Sequence, residues 1–265
     1  SSTVGESSFA SDDFYGLMDS NEGVIIPSIA GIDIAVGRML VSDNAQAQEM
    51  VNKVFEYYDT KSYGNWRNNV ILISDDSDKA GDQTLQANQN ALADQIATEK
   101  PFFNIDKIFL DAYTQEASAG GARYPKARTD FFNAFEKGAL IFNYLGHGGE
   151  DGLASERIWE KSDGQNLTNQ YKYPLFITIT CEFSRFDDPT RPTAGEYVFW
   201  NPKGGAISML TTIREIGQTN AEEFNKTLSK NLLSYGSNQY NTIAESLRIS
   251  KNENPSSSSN VVFYL

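Results

Sequence analysis

Short apolar runs alternate along this chain with amphipathic stretches, and that alternation constrains its fold more than any other feature. Val70 to Ser74, Ala139 to Leu145, Leu175 to Thr180 and Ala206 to Leu210 are continuous apolar runs, the pattern of strands buried on both faces of a parallel sheet. Between them lie stretches with helical spacing. Thr84 to Glu99 carries Leu85, Leu92 and Ile96 on one face, and Pro125 opens a helix that Gly138 closes after Lys137. Ile32 to Val36 and Ile105 to Asp111 read as further strands. Helices are predicted over 44–58, behind a Ser42 or Asp43 cap, near 193–200, over 221–235 and over 242–251. The class that follows is α/β, a mainly parallel sheet with helices on both faces. Lys61 to Asn69 is polar and turn-rich and marks a boundary between a small N-terminal piece and the main domain. Pro255 to Ser259 reads as a mobile loop, and Asn260 to Leu265 as a strand that stops without a turn or polar tail. The sequence is therefore expected to be a piece of a longer chain.

The balance of 22 basic against 35 acidic residues gives a net charge of −13. Such a chain repels a phosphate backbone, and no Lys/Arg cluster interrupts the acidity, so nucleic acid is not an expected partner. No apolar stretch approaches the roughly 18–20 residues of a membrane-spanning helix. The chain has one cysteine, Cys181, and one histidine, His147. An intramolecular disulfide and Cys-rich zinc sites are thereby excluded.

Where these two residues fall is informative. The run Ala139–Leu145 leads into Gly146-His147-Gly148-Gly149, and the run Leu175–Thr180 leads straight into Cys181. In an open parallel sheet the ligand crevice lies outside the carboxyl ends of the strands, and right-handed crossovers keep consecutive strands close. Both residues are thus expected on one edge of the sheet. A thiolate is a nucleophile, and an adjacent imidazole activates it and later protonates a leaving amine. The N–H groups of Gly148 and Cys181 are natural donors to an oxyanion. Each residue also has a plainer reading, Cys181 as a small buried hydrophobe and His147 as a loop residue. Pattern alone leaves both readings open. Thiol labelling separates them: a dyad thiolate reacts fast near neutral pH, a buried structural thiol slowly.

Other motifs are weaker. The glycine-rich stretch lacks the Lys-Ser/Thr of a phosphate loop and has Asp151 where a dinucleotide fingerprint needs glycine. The acidic loop Asp75, Asp76, Asp78, Asp82 fails the EF-hand template, which would place ligands at Ala80 and Ala87. It reads as a solvated loop or as scattered carboxylates able to take calcium. One of its carboxylates is a candidate to orient His147, because the loop leaves the carboxyl end of Val70–Ser74.

Asn143-Tyr144-Leu145-Gly146-His147-Gly148-Gly149-Glu150, followed by Pro174-Leu175-Phe176-Ile177-Thr178-Ile179-Thr180-Cys181, resembles the gingipain family of caspase-like cysteine peptidases. Ser11-Asp12-Asp13-Phe14-Tyr15-Gly16, Ala35-Val36-Gly37-Arg38 and Gly204-Gly205-Ala206-Ile207 match family segments in the same order. Their details look closest to the PorU-like C-terminal signal peptidase branch of the type IX secretion system. The resemblance implies a caspase-like sheet, with residues 1–65 as the C-terminal part of an N-terminal α/β subdomain. Residues 66–265 would be the catalytic subdomain, cut short at its C-terminus. It implies Cys181 as nucleophile, His147 as base, Gly148 N–H in the oxyanion hole and Asp76, or Asp75, as the third polar residue. Gly149 stands where gingipains have serine, and an aspartate where they have glutamate.

Thr211, Thr212 and Glu215, just past the run Ala206–Leu210, are expected from sheet geometry to border the substrate. Glu215 would either favour a basic P1 side chain or pair with Arg214 at the surface. By resemblance, no cofactor is required and calcium is admitted. The substrates would be proteins carrying a C-terminal sorting domain, cut at the bacterial outer-membrane surface through a thioester acyl-enzyme. An amine on a surface glycolipid would be a sortase-like acceptor, and an outer-membrane β-barrel shuttle a partner. The rival expectations are a secreted gingipain-like degradative protease and a non-catalytic caspase-like surface scaffold.

Overall fold

In the computed structural model, residues 10–20, 22, 31–255 and 261–264 are described. In chain order the elements are α1 (Asn44–Tyr58), β1 (Asn69–Ser74), α2 (Gln83–Glu99), β2 (Asn104–Phe109), β3 (Glu116–Ser118), β4 (Gly121–Arg123), α3 (Pro125–Lys137) and β5 (Ile141–Leu145). Then come β6 (Gly148–Gly149), β7 (Gly152–Leu153), β8 (Trp159–Glu160), α4 (Lys161–Asn166), β9 (Leu175–Ile179), α5 (Ala194–Trp200), β10 (Ser208–Thr212), α6 (Gln218–Leu232), α7 (Ile243–Glu253) and β11 (Val261–Tyr264). The main sheet runs β11-β10-β9-β5-β1-β2 and is parallel except for β11. Every residue of β5, β9 and β10 is buried, as the continuous apolar runs require. The edge strand β2 exposes Asn104, Asp106 and Lys107 instead.

Each face of the sheet is covered by helices. Phe131 and Phe135 of α3 pack with Phe142, Phe176 and Trp159 on one face, ring centroids lying 4.4 to 6.5 Å apart. Burying each such ring is worth about 1.5–3 kcal/mol. On the other face, Leu85, Leu92 and Ile96 of α2 and Phe224 and Leu228 of α6 cover Leu145, Ile177 and Ile179. A closed ring of three buried amides fixes these helices on the strand. Gln89 Nε2 donates to Asn143 Oδ1 (3.0 Å), Asn143 Nδ2 to Asn225 Oδ1 (2.7 Å) and Asn225 Nδ2 to Gln89 Oε1 (3.1 Å). Fully satisfied, such a ring specifies one arrangement of α2 and α6 rather than several.

The helix over 44–58 forms as expected, with Asp43 as its cap accepting from Gln46 N–H at 2.9 Å. The expected strand over 32–36 does not form. Asp33 N–H donates to Gly16 O (2.8 Å), and the Asp33 carboxylate accepts from Met18 N–H (2.8 Å). The segment is thus tied to the turn Asp12–Gly16, with Ile34 half exposed. Its Ile-Asp-Ile alternation mimics a strand, but among the described residues no strand pairs with it. The sequence also did not announce β3–β4 or the small sheet β6-β7-β8, whose strands are too short to carry a period. The predicted mobile loop, beyond Pro255, lies outside the described residues. No helix among the described residues is long and apolar enough to cross a membrane.

Candidate active site

Strands β5 and β9 pair in parallel with Leu145 opposite Ile179. His147 and Cys181 each lie two residues beyond that pair. The adjacency expected from sheet topology is present, and both residues line one cavity of about 120 Å3 at the carboxyl edge. The turn between Leu145 and His147 needs a glycine. A Cβ at Gly146 would sit 2.4 Å from Asp75 Cβ and 2.8 Å from the Tyr144 hydroxyl.

His147 is held from three sides. Its backbone N–H donates to Asp75 Oδ2 (2.8 Å), and its carbonyl accepts from the Tyr144 hydroxyl (2.5 Å). Its ring Nε2 lies 3.1 and 3.2 Å from the two carboxylate oxygens of Asp82. The imidazole is 40% exposed while the Asp82 side chain is only 2% exposed, so a solvent-facing ring is anchored to a buried acid. An Nε2–H donated to Asp82 leaves Nδ1 as the basic nitrogen.

Asp82 corrects the expectation for the third polar residue. Asp76, the sequence candidate, instead accepts from the Tyr124 hydroxyl (2.8 Å) and the Gln115 amide (3.4 Å). Asp75 touches only the backbone of His147. The chain reaches the ring six residues later because Gly81 reverses it at φ +106°, delivering Asp82 to the start of α2. Asp82 stood among the acidic residues of this loop. Its position immediately after a glycine and before the helix was the available signal.

Cys181 is half-buried, and its sulfur accepts the backbone N–H of Ile216. Burial pushes the thiol above its ordinary value. The Ile216 N–H opposes that rise, and the negative charges of Glu215 and Glu182 add to it. The resting form is therefore the neutral thiol, poised to pass its proton to a base rather than standing ionised. Glu182 adopts φ +50° directly after Cys181, a conformation costly for a non-glycine residue. Sequence reasoning passed it over.

Gly148 opens the hairpin beyond His147. Ala154 N–H donates to His147 O (2.9 Å), so the paired residues Gly148 and Leu153 form a non-hydrogen-bonded pair, whose backbone groups point away from the partner strand. A Cβ at Gly148 would lie 2.6 Å from Thr180 Oγ1, so the close packing of this turn on the cysteine strand depends on glycine.

None of the three residues expected to border the substrate lines the cavity at Cys181. Thr211 and Thr212 are fully buried. Thr211 Oγ1 accepts from Thr178 Oγ1 (2.8 Å) and donates to Ser184 Oγ (3.0 Å), and Thr212 Oγ1 donates to Thr180 O. They brace the cysteine strand. Glu215 is exposed beside Cys181, outside the cavity lining. Arg214 forms a buried two-point pair with Asp187 at 2.7 and 2.9 Å.

A larger polar cleft of about 1020 Å3 adjoins the site, lined by His147, Gly148 and Gly149 together with Lys79, Glu150, Glu182 and Arg191. Behind the His147 loop, carboxylate oxygens of Asp75, Asp76 and Glu156 come within 4.8 Å of one another. Glu156 Oε2 is buried without a partner. Burial pushes the Asp75 carboxyl up to about 7, with the charges of Asp76 and Glu156 adding and the His147 N–H opposing. Three crowded oxygen donors fit a hard cation such as calcium.

A family model described as "Peptidase family C25" matches residues 2–264. The chain belongs to that family. No curated protein matches it. Among solved structures it is similar to the Arg-specific cysteine proteinase gingipain R, with a TM-score of 0.73 and 14% identity over 97% of this chain and 58% of that one. It is similar also to the complex of Porphyromonas gingivalis RgpB pro- and mature domains, with a TM-score of 0.72 and 13% identity over 96% of this chain and 59% of that one. A third structure, titled only as a protease, matches at 0.69 and 14% identity over 95% and 54% of the two chains. The C25 chain described here thus has the gingipain fold and spans under two thirds of those structures.

Proposed function

We propose that this C25 chain carries the catalytic core of a cysteine endopeptidase. The observation that supports this most directly is the Leu145–Ile179 register, which brings His147 and Cys181 to one cavity. On this reading Cys181 Sγ passes its proton to the imidazole and bonds to the scissile carbonyl carbon. The oxyanion is met by backbone N–H groups at Gly148 and Cys181. The C–N bond then breaks, and the imidazolium returns its proton to the leaving amine. The thioester left on Sγ is opened by water, or by an amine, deprotonated by the same imidazole. Asp82 fixes the ring orientation and favours the imidazolium as it forms.

The resemblance to the PorU-like branch supports a narrower role. The substrates are proteins with a C-terminal sorting domain, cut at the outer-membrane surface beside a β-barrel shuttle, with a glycolipid amine as acceptor. Calcium belongs to the same proposal, held by Asp75, Asp76 and Glu156, where it would neutralise the acids behind the His147 loop. The test compares casein with a folded cargo–tail fusion as substrates of wild type and Cys181→Ala. Cutting confined to the tail junction supports the sorting role. Equal degradation of casein favours a gingipain-like degradative protease. Cleavage that survives Cys181→Ala would overturn the cysteine mechanism, and a wild type that cuts neither substrate would leave a non-catalytic scaffold.

A further inference from the structure

The side chain of P1, the residue whose carbonyl is attacked, hangs from the carbon next to that carbonyl. Once Sγ has bonded, it must occupy the concavity nearest Cys181 or remain in solvent. The large polar cleft is lined by His147 but not by Cys181, whereas the small cavity is lined by both. The small cavity is therefore where the P1 side chain goes.

Its walls are apolar. Leu145 and Ile179 of the sheet, Leu85 of α2, Ala221 of α6 and Ile216 of the intervening loop form most of it. Among the described residues lining it, His147 is the only titratable group besides Cys181 itself. The Nε2–H groups of Gln218 are spent on Gly81 O (2.8 Å), Thr84 Oγ1 (2.9 Å) and Glu222 Oε1 (3.2 Å), which leaves its uncharged Oε1 as an acceptor but supplies no counter-charge. Thr180 Oγ1, buried without a partner, lies against Gly148. The nearby carboxylates do not compensate a cation here. Asp82 is taken up by His147, and Glu215 and Glu182 lie outside the lining. At about 120 Å3 the cavity is far smaller than the neighbouring cleft of about 1020 Å3, and a side chain entering it meets mostly carbon. The amide ring ties the two helical walls, α2 and α6, to the same strand.

We infer that this chain takes an aliphatic P1 residue (valine, isoleucine or leucine) and excludes arginine and lysine. The inference rests on the cysteine-peptidase reading above. A buried guanidinium or ammonium without a counter-charge loses its hydration with nothing in return.

The test uses fluorogenic peptides that differ only at P1, carrying valine, leucine, threonine, alanine, arginine or lysine. They are assayed on wild type, Cys181→Ala, Ala221→Leu and Ile216→Asp. The expected result is a kcat/KM for valine or leucine at least about 100-fold above that for arginine or lysine, a range apolar pockets reach. Ala221→Leu, which fills the cavity, should move the optimum to alanine. Ile216→Asp, on a half-exposed loop, should raise arginine relative to leucine even if overall turnover falls. Cys181-dependent cleavage that prefers arginine or lysine would overturn the P1 assignment and leave the peptidase reading standing. Ratios unmoved by both folded variants would overturn the assignment of the cavity. Absence of Cys181-dependent cleavage with every P1 residue would overturn both.

Discussion

Nε2 of His147 lies 3.1 Å from a carboxylate oxygen of Asp82, an acid whose side chain is only 2% exposed. A buried carboxylate beside a half-exposed imidazole sets the ring's tautomer and orientation. Asp82→Asn should lower kcat about 10²–10⁴-fold, the range for losing a carboxylate partner of a catalytic histidine. KM should change little. Asp78→Asn, in the same loop but exposed, should stay within a few-fold of wild type. Steady-state kinetics on a cleaved peptide decide it, and equal effects of the two changes would remove Asp82 from the mechanism.

Cys181 should alkylate slowly at neutral pH in the substrate-free protein, faster as pH rises through a midpoint above the ordinary thiol value. Burial is the largest cause, and Glu215 and Glu182 contribute through their charge. A slow rate at neutral pH, contrary to the expectation from sequence, therefore does not mark Cys181 as merely structural. Removing one negative charge favours the thiolate, so Glu215→Gln should lower the midpoint. Iodoacetamide labelling followed by mass spectrometry against pH reads this directly. A midpoint below neutrality would mean a preformed thiolate–imidazolium pair instead.

Lys53 is buried, its Nζ donating to Phe199 O at 2.9 Å, and burial lowers its pKa to about 7 while Glu56 opposes the fall. The unfolded chain then binds more protons than the folded one between pH 7 and the unperturbed 10.5, so stability should rise with pH across that window. Denaturant melts at pH 7 and pH 9 should show the increase, and Lys53→Met should flatten it. A wild-type midpoint that falls from pH 7 to pH 9 would contradict this account.

Calcium should raise the melting temperature if Asp75, Asp76 and Glu156 hold it. An ion at 100 times its Kd contributes about 2.7 kcal/mol. Glu156→Gln should shrink the calcium-dependent rise and, with chelator present, melt no lower than wild type, because it relieves repulsion among three buried acids. An unchanged calcium response in that variant would remove Glu156 from the site.

The sequence determined the sheet and the places of His147 and Cys181 at its carboxyl edge. Burial on both faces writes itself into consecutive residues, and a parallel sheet has one edge where such residues can meet. A period is a local signal, legible wherever four or five apolar residues run together. The same locality misled it at 32–36, where an alternating segment pairs with no strand among the described residues. Only the tertiary structure decided which acid touches the imidazole. That choice turned on the reversal at Gly81, which carries Asp82 back to the ring and leaves Asp76 to Tyr124. It also decided that Thr211 and Thr212 spend their hydroxyls inside the sheet, and that the cavity at Cys181 is walled by leucine, isoleucine and alanine drawn from five separate segments. Partners across loops are set by where the chain turns and how helices pack, and no spacing along the chain encodes that.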